Sequence, residues 1–275
     1  MFGFWTKIAY NLFVKKQKLQ YDIPNFKQDI LKRLVIFALS FILIFVISYN
    51  FKSFMRVWNI LNYDSYLQKL YKLKNEQGLQ ALVDINSSCI AYLECEDLDI
   101  HLPIVSVDSK EEEDYYLSHD FLKRENELGS PYQKNGTNLN QTTNTVLVGH
   151  SAYTGSIFNI KKSRAIFGRF NEYLYANSNF NYTIKIETLD NLFEYKVVSV
   201  LKFNTKTGNH SEEQSIYTTV NLTTQSQFNN FYNIIKSKSY IKNLDEATFG
   251  DKFITIYTCA TDNLDYRVMV VAKQI

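Results

Sequence analysis

The C-terminal stretch FITIYTCATDNLDYRVMVVAK, residues 253–273, has the pattern of a β-hairpin. β-Branched and aromatic residues alternate over 253–258 and again over 267–273, and such runs are typical of half-buried strands. The polar residues between them predict a turn. In an antiparallel hairpin of this length, Cys259 and Arg267 face each other, because both lie equally far from the centre of the turn. The sequence therefore predicts a thiol beside a guanidinium at one end of a sheet.

The same two-residue period appears in much of the chain before this hairpin. Residues 89–107 predict two strands around a turn at Glu96–Asp99, and Pro103 indicates an edge position or a bulge in the second strand. A helical period returns over Thr223–Ile241, whereas Gly129–Asn144 predicts a loop. The other predicted strands are Thr145–Val148, Tyr182–Leu189 and Phe193–Phe203. Many strands with few helices indicate a mainly all-β barrel or sandwich with one helix inserted late.

An apolar run without a charge, LVIFALSFILIFVISYNF, occupies residues 34–51. As a helix it would be roughly 27 Å long, close to the hydrocarbon thickness of a bilayer. The preceding segment, 1–33, carries seven basic and two acidic residues, so the positive-inside rule predicts a cytoplasmic N-terminus. The run is long for a signal peptide and lacks a clean cleavage site, which indicates an uncleaved signal anchor. The alternative is a buried core helix.

The chain is therefore predicted to be a single-pass protein of the cell membrane. Its segments would be a basic cytoplasmic part (1–33), a transmembrane anchor (34–51), a helical stalk (52–80) and an extracellular domain (81–275).

Composition narrows the classes of function. A formal net charge of +2, without a Lys/Arg block in the C-terminal two thirds, argues against a nucleic-acid partner. Three cysteines, Cys89, Cys95 and Cys259, are too few and the wrong parity for a disulfide-stapled secreted domain. With 275 residues, of which 45% are hydrophobic, the chain can bury a full core.

Cys259 differs from the other cysteines in its position. Cys89 and Cys95 lie about 20 Å apart along one predicted strand, too far for a disulfide, so core packing accounts for both. Cys259 closes a strand and precedes a turn, where a cleft can open. Two interpretations of Cys259 stay open on this basis: a buried hydrophobic residue, or a nucleophile.

A nucleophilic thiol needs a proton acceptor, and His150 is the best candidate among the four histidines. It follows an apolar strand and a glycine that permits close backbone approach, so it lies at a strand end, as Cys259 does. By contrast, His101 lies within a strand, His119 lies in a segment of mixed character, and His210 lies in a polar loop.

Arg267 suits a different part of the same chemistry. Arginine stays protonated at any usable pH, so it cannot act as a base. Its guanidinium can instead donate hydrogen bonds to a substrate carbonyl or to a tetrahedral oxyanion. The alternative is a surface arginine that pairs with Asp262 or Asp265.

Three motifs together resemble the sortase family: VLVGHSAYTGSIF (146–158), ITIYTC (254–259) and DYRVMVVAK (265–273). The family signature is a histidine after an apolar strand, a TLxTC cysteine and an arginine on the following strand. Ile256 replaces the signature leucine, and Tyr257 occupies the variable position before the final Thr-Cys pair.

Within this family the chain is similar to class B. ALVDINSSCIAYLECEDLDIHLPIV (81–105), DYYLSHDF (114–121) and LGSPYQ (128–133) follow the order and spacing of the class B core. The helical FNNFYNIIKSKSYI (228–241) corresponds to the extra helix of that class. The resemblance runs from about Ala81 to the C-terminus.

The resemblance implies an eight-stranded sortase-type β-barrel with N-terminal helices and an inserted helix before the cysteine strand. It also implies a cysteine transpeptidase in which Cys259 attacks a carbonyl of a sorting signal and forms a thioester. His150 would protonate the leaving amine and deprotonate the incoming one, while Arg267 would hold the substrate carbonyl and its oxyanion. The implied substrate-binding residues are Tyr257, Thr258 and Ala260, the last through its amide as a second oxyanion donor.

The implied partners follow from the reaction. They are surface proteins with a C-terminal sorting signal, the amine of a peptidoglycan cross-bridge or its lipid-linked precursor, and the membrane through residues 34–51. No metal or organic cofactor is expected.

Three alternatives remain at this point. A pilin-polymerising sortase would use the same triad with a lysine acceptor, but the second anchor usual in such enzymes is not expected in a chain that stops at Ile275. A membrane-tethered binding domain explains the anchor but not the joint placement of His150, Cys259 and Arg267. A papain-like hydrolase would place its cysteine at the start of a helix rather than at the end of a strand.

Overall fold

The structure is a computed structural model that describes residues 2–107, 112–151, 167–175, 181–206, 208–242, 245–263 and 265–275. Two compact units divide the chain, one ending at Val57 and the other running Trp58–Ile275. All strands of the described residues belong to the second unit.

Helix α1, Phe2–Gln77, begins in the first unit and ends in the second. Its stretch Gln28–Tyr49 has 22 residues and contains an 18-residue segment with a mean hydropathy of 2.6, so it is long and apolar enough to cross a membrane. The large apolar side chains of this stretch are exposed, as Phe37 is at 71%. The stretch overlaps the predicted anchor 34–51 and is compatible with a membrane segment.

The second unit is built on eight strands. They are β1 Cys89–Cys95, β2 Ile100–Ser106, β3 Tyr132–Gln133, β4 Asn144–Val148, β5 Thr183–Glu187, β6 Leu192–Asn204, β7 Phe253–Cys259 and β8 Tyr266–Gln274. They close into a barrel in the order β1-β2-β3-β4-β7-β8-β6-β5. The β2–β3 and β4–β7 pairs are parallel, and the other pairs are antiparallel. The predicted eight-stranded barrel is confirmed.

Helices precede and interrupt the barrel. The remaining α-helices are α2 Leu79–Ile85, α3 Ser211–Thr218 and α4 Gln225–Ser237, and the 3₁₀ helices are Glu96–Leu98, Tyr115–Leu117 and Phe167–Tyr175. Helix α4 is the predicted late helix. It begins at a capping box, in which Thr224 accepts from the Gln227 N–H and the Gln227 side chain accepts from the Thr224 N–H, so two of the free N–H groups at the helix start are satisfied.

Two elements differ from the sequence prediction. Strand β3 lies inside the predicted loop Gly129–Asn144, because two residues are enough to bridge β2 and β4 but too few to show a period. Helix α3 begins directly after His210, in the predicted polar loop. Ile216 is its fully buried apolar residue, and one such residue does not form a recognisable apolar stripe along the helix.

Pro103 is paired on one side only, with Tyr92, as its lack of a backbone donor requires.

Helices α3 and α4 cover the outer face of β6, β7 and β8. Ile254 and Ile256 of β7 belong to the cluster inside the barrel, whereas Phe253 belongs to an outer cluster with Phe228 and Phe231 of α4. The ring centroids of Phe231 and Phe253 are 5.3 Å apart. Burial of each such ring contributes about 1.5–3 kcal/mol, so the inserted helix stabilises the strand that carries Cys259.

The end of α1 packs on the barrel. Leu67 is buried in the barrel's core cluster, so part of the predicted helical stalk shares that core. Lys74 lies 3.0 Å from a Glu94 oxygen of β1 and 2.6 Å from a Glu187 oxygen of β5. Because the Lys74 side chain is only 12% exposed, these ion pairs are poorly screened and fix the helix end to two neighbouring strands.

Candidate active site

The β7–β8 hairpin places Cys259 directly opposite Arg267 in an antiparallel pair. This is the register that the turn length predicted. Alternation along β7 buries Thr258 and leaves Cys259 half-buried on the outer side of the barrel. The two carboxylates of the alternative interpretation of Arg267 contact lysines: Asp262 pairs with Lys202, and Asp265 pairs with Lys206.

His150 reaches the same place from β4. This strand runs parallel to β7 with Val148 opposite Tyr257, and the Gly149 N–H extends the pairing by donating to the Tyr257 carbonyl at 3.2 Å. His150 is the next residue, so it emerges beside the end of β7, where Cys259 lies. Two strands far apart in sequence therefore bring the histidine and the cysteine together.

One pocket of about 410 Å³ brings the three predicted catalytic residues together. Its walls combine three tyrosines, two carboxylates and the ends of β4, β7 and β8. The lining residues are Glu113, Asp114, Leu117, Tyr132, Val148, Gly149, His150, Tyr217, Tyr257, Thr258, Cys259 and Arg267.

The His150 ring is held by one backbone group. Its Nε2 lies 2.9 Å from the Leu117 carbonyl oxygen. A carbonyl can only accept, so Nε2 carries the proton and Nδ1 of the neutral ring has a free lone pair. Burial lowers the pKa of His150 below its ordinary value of 6.5; the bond to Leu117 opposes this fall, and the nearby charge of Arg267 adds to it. The ring is therefore neutral near pH 7, with Nδ1 as its proton-accepting atom.

Gly129 packs directly against the backbone of Tyr116 and Leu117. Its φ is +62°, and a Cβ added there would lie 2.3 Å from the Tyr116 carbonyl oxygen and 2.8 Å from the Leu117 carbonyl oxygen. Real Cβ atoms do not come so close, so only glycine fits. The Tyr63 hydroxyl, from α1, donates to the Gly129 carbonyl at 2.5 Å. The carbonyl that orients His150 is thus part of a closely packed backbone crossing.

Tyr257 and Thr258, two of the residues predicted to bind substrate, line the pocket. Burial raises the pKa of Tyr257, and the adjacent Arg267 charge opposes the rise. The Tyr257 ring packs on Tyr217 of α3, with centroids 4.7 Å apart. Thr258 is 2% exposed, and its buried hydroxyl has no hydrogen-bond partner among the described residues.

Ala260 is placed differently. It is fully buried, and its N–H donates to the Tyr266 carbonyl at 3.0 Å inside the hairpin. In this structure the amide is therefore engaged by the protein itself, and its function as an oxyanion donor stays a prediction that requires this bond to open.

The other cysteines and histidines lie elsewhere. Cys89 and Cys95 are buried, and burial raises the pKa of their thiols to about 12 and about 11, which suits core residues. His119 stacks on Tyr115 with centroids 3.9 Å apart, and His210 directly precedes α3. None of these residues lines the pocket of Cys259.

A metal ion has one candidate place among the described residues. Ligand atoms of Glu94, Glu96 and His101 lie within 4.8 Å of one another, on β1, β2 and the turn between them. Glu94 already accepts from the Lys74 ammonium at 3.0 Å. None of these three residues lines the pocket of Cys259.

Several pocket residues were not predicted from the sequence. Leu117 contributes a backbone carbonyl, which has no side-chain signal. Tyr132 lies on the two-residue β3, and Tyr217 lies on the unpredicted α3. Glu113 and Asp114 stand in a run of acidic residues whose composition resembles any solvated loop.

Comparison with known proteins agrees with this architecture. The family model described as the sortase domain matches residues 93–275, about two thirds of the chain. No curated protein matches the sequence.

Solved structures of sortase B share the fold. The enzyme from Staphylococcus aureus is 23% identical with a TM-score of 0.61, covering 78% of this chain and 98% of that chain. The enzyme from Bacillus anthracis is 22% identical with a TM-score of 0.61, covering 81% and 99%. The enzyme from Clostridium perfringens is 22% identical with a TM-score of 0.56, covering 71% and 98%. By its matched domain and its barrel, the chain belongs to the sortase family of cysteine transpeptidases.

Proposed function

We propose that this sortase joins surface proteins to the cell wall, with Cys259 as nucleophile, His150 as proton carrier and Arg267 as oxyanion donor. The observation that supports the proposal best is the register of β7 and β8, which sets Cys259 opposite Arg267 in a pocket that His150 also lines. A core cysteine would not need a half-buried position beside a cationic strand partner.

The protonation of His150 suggests how acylation proceeds. Nδ1 of the neutral ring takes the thiol proton as the sulfur attacks the substrate carbonyl, so a carbon–sulfur bond forms and an oxyanion develops. The imidazolium then gives this proton to the leaving amine as the peptide bond breaks. The products are a thioester on Cys259, a free amine and a neutral His150.

Arg267 is suited to the developing oxyanion. Its guanidinium offers several N–H donors in a fixed plane and stays charged throughout the reaction. The Arg267 Nη1 also donates to its own strand neighbour, the Tyr266 carbonyl, at 3.2 Å, which limits the motion of the group. Donors held in place before the reaction stabilise an oxyanion without reorganisation, an effect worth several kcal/mol in other acyl-transfer sites.

An amine completes the exchange by attacking the thioester, with His150 as the base. Two related structures contain such partners: one is a complex of S. aureus sortase B with substrate, and the other is a sortase B complexed with Gly3. For the present protein we propose a C-terminal sorting signal as acyl donor and a peptidoglycan cross-bridge amine, or its lipid-linked precursor, as acceptor.

The proposed location follows from the N-terminal segment. The apolar part of the stretch Gln28–Tyr49, from Leu34 onward, would anchor the protein, with the basic segment 1–33 in the cytoplasm and the catalytic domain outside. Both substrates of wall anchoring are reached at that membrane face.

The test uses the full-length chain in detergent micelles with a panel of sorting peptides of the NPxTx and xPxTG types, followed by intact mass. The expected result is a thioester on Cys259 that triglycine converts to a new amide. A lysine-containing peptide tests the pilin-type alternative as acceptor. The Cys259→Ala variant should form no adduct and Cys89→Ala should form it normally; an adduct on the Cys259→Ala variant would contradict the proposal.

A further inference from the structure

We propose that Asn171 is a positioning residue, which fixes the peptide after Cys259 and thereby holds the thiol in the orientation for attack. The proposal rests on the proposed function of Cys259. Asn171 lies in the 3₁₀ helix Phe167–Tyr175, which we call the bridging helix. No sequence motif indicates a function for Asn171, because an isolated asparagine resembles any other polar residue.

The carboxamide of Asn171 is buried and its atoms bond the segment that carries the nucleophile. Its Nδ2 donates to the Cys259 carbonyl at 3.2 Å, and its Oδ1 accepts from the Thr261 N–H at 3.0 Å. The same Nδ2 also donates to the Gly168 carbonyl at 3.0 Å, within the bridging helix. The side chain is 4% exposed, so water competes little for these bonds.

These bonds act on the peptide unit between Cys259 and Ala260. A peptide unit is planar, so fixing its C=O and its N–H fixes the whole unit. Asn171 holds the C=O, and the Tyr266 carbonyl holds the N–H from the opposite strand at 3.0 Å. With this plane fixed from both ends, the backbone at Cys259 is set, and with it the direction in which the Cys259 side chain leaves the strand.

The bridging helix also reaches the strand of the proton carrier. The Phe167 N–H donates to the His150 carbonyl at 3.1 Å. Phe167 and Phe170 are fully buried, and their rings pack with centroids 5.5 Å apart, so the helix is anchored in the core. One rigid element therefore bonds the backbone of both His150 and Cys259, and it can fix their relative position.

The test compares two changes at Asn171 with a matched buried asparagine. Asn171→Ala removes all three bonds, whereas Asn171→Asp keeps the acceptor for Thr261 but replaces the donor to Cys259 with a negative oxygen. Asn86→Ala is the control: Asn86 is 6% exposed, donates to the Phe121 carbonyl at 2.7 Å and accepts from the Ser88 N–H at 3.0 Å, and none of these residues lines the pocket.

All variants are full-length chains in detergent micelles, and each is measured for thermal unfolding, for kcat and KM with a peptide that acylates the wild type, and for iodoacetamide labelling of Cys259 against pH. For Asn171→Ala we expect kcat to fall about tenfold to hundredfold with KM changed less than about twofold, since misplacement of a reacting group mainly affects the transition state. Asn86→Ala should unfold at a similarly lowered temperature yet keep its kcat. In Asn171→Asp the added charge should move half-maximal labelling of Cys259 to higher pH.

The proposal is overturned if Asn171→Ala keeps the wild-type kcat, or if Asn86→Ala loses as much kcat as Asn171→Ala. If the wild type is acylated by no peptide of the panel, the proposed function fails, and the labelling decides the position of Asn171 separately. In that case an unchanged labelling profile in Asn171→Asp overturns the proposal, and an upward shift supports it.

Discussion

His150 combines burial with a nearby positive charge, and both lower its pKa. The neutral ring is the form that accepts the thiol proton. At pH values well above 6.5, the ordinary pKa of histidine, the ring is already neutral, so a further rise in pH should not change the acylation rate through His150. The rate should fall only as the pH decreases through the lowered pKa of His150. The measurement is the single-turnover acylation rate between pH 4.5 and 8, in steps of about half a unit.

The origin of this shift can be tested without activity. Replacing Arg267 by glutamine removes the charge, so the pKa of His150 should rise relative to the wild type while burial still holds it down. Titration of the histidine ring signals by NMR gives both values, with the remaining histidines as internal references. A His150 that titrates above 6.5 in the wild type would contradict the proposal that a neutral His150 accepts the thiol proton.

Arg267 should not tolerate lysine. The guanidinium has several donors in one plane, whereas an ammonium is a point charge on a flexible stem, so Arg267→Lys keeps the charge and loses the fixed donors. We expect kcat/KM for the acyl-transfer reaction to fall about tenfold to a thousandfold, in the range of other oxyanion donors. Lys202→Arg, on the neighbouring β6, is a suitable control because it exchanges the same two cationic groups, in the opposite direction, at a residue that does not line the pocket.

The three cysteines should separate by reactivity. Burial raises the pKa of Cys89 to about 12 and that of Cys95 to about 11, so both stay thiols at neutral pH, whereas Cys259 is half-buried at the pocket. Brief iodoacetamide treatment at pH 8 should therefore modify Cys259 alone and abolish acylation. Cys95→Ala, which loses a 3.1 Å contact to Tyr173, should cost about 1–2 kcal/mol of stability but keep activity. Labelling of Cys89 or Cys95 in the folded protein would contradict this assignment.

At the scale of elements, the backbone crossing at Gly129 connects stability to catalysis. Gly129→Ala places a Cβ against the Leu117 carbonyl, so the acceptor that orients His150 must shift. We expect a loss of about 1–3 kcal/mol of stability from strain, together with a fall in kcat. Thermal unfolding and steady-state kinetics of the same preparation measure both effects.

Gly136→Ala is the matched control for this change. Gly136 has a φ of +79° but nothing within 4 Å of an added Cβ, so the variant carries the backbone strain without the overlap. It should lose stability and keep kcat. Equal losses of kcat in both variants would show that strain alone, and not the position of the Leu117 carbonyl, explains the effect.

The elements differ in how far the sequence reveals them. Strands β7 and β8 alternate over several residues, and the turn between them is short, so both their existence and the pairing of Cys259 with Arg267 follow from local pattern. The parallel pairing of β4 with β7 joins residues more than a hundred positions apart, and no local signal contains it. The position of His150 beside Cys259 was therefore supplied by the family resemblance rather than by periodicity.

Contacts made by backbone groups were beyond prediction for a different reason. His150 is held by the carbonyl of Leu117, and Asn171 holds the carbonyl of Cys259. Every residue has a backbone carbonyl, so residue type does not indicate which ones make such contacts. Only the folded chain selects which of them meet a side chain. Residue types identified the reacting groups, while the groups that orient them became visible with the tertiary structure.

For the whole molecule, the membrane topology is the remaining prediction. The stretch Gln28–Tyr49 has 22 residues, which gives a helix of about 33 Å, enough to cross the hydrocarbon core. The basic residues before it predict a cytoplasmic N-terminus. Two variants, Asn11→Cys and Lys72→Cys, each introduce one exposed cysteine and report the two sides, in a background carrying Cys259→Ala. In intact Gram-positive cells, a membrane-impermeant maleimide should label position 72 and should label position 11 only after permeabilisation.

This design separates topology from expression, because each variant is its own control before and after permeabilisation. Cys89 and Cys95 are buried and should contribute no background, which the Cys259→Ala parent checks directly. Label at position 11 in intact cells would place the N-terminus outside and contradict the topology. Label at neither position before permeabilisation would place the catalytic domain inside, away from the surface proteins and wall amines of the proposed reaction, and would exclude wall anchoring as its function.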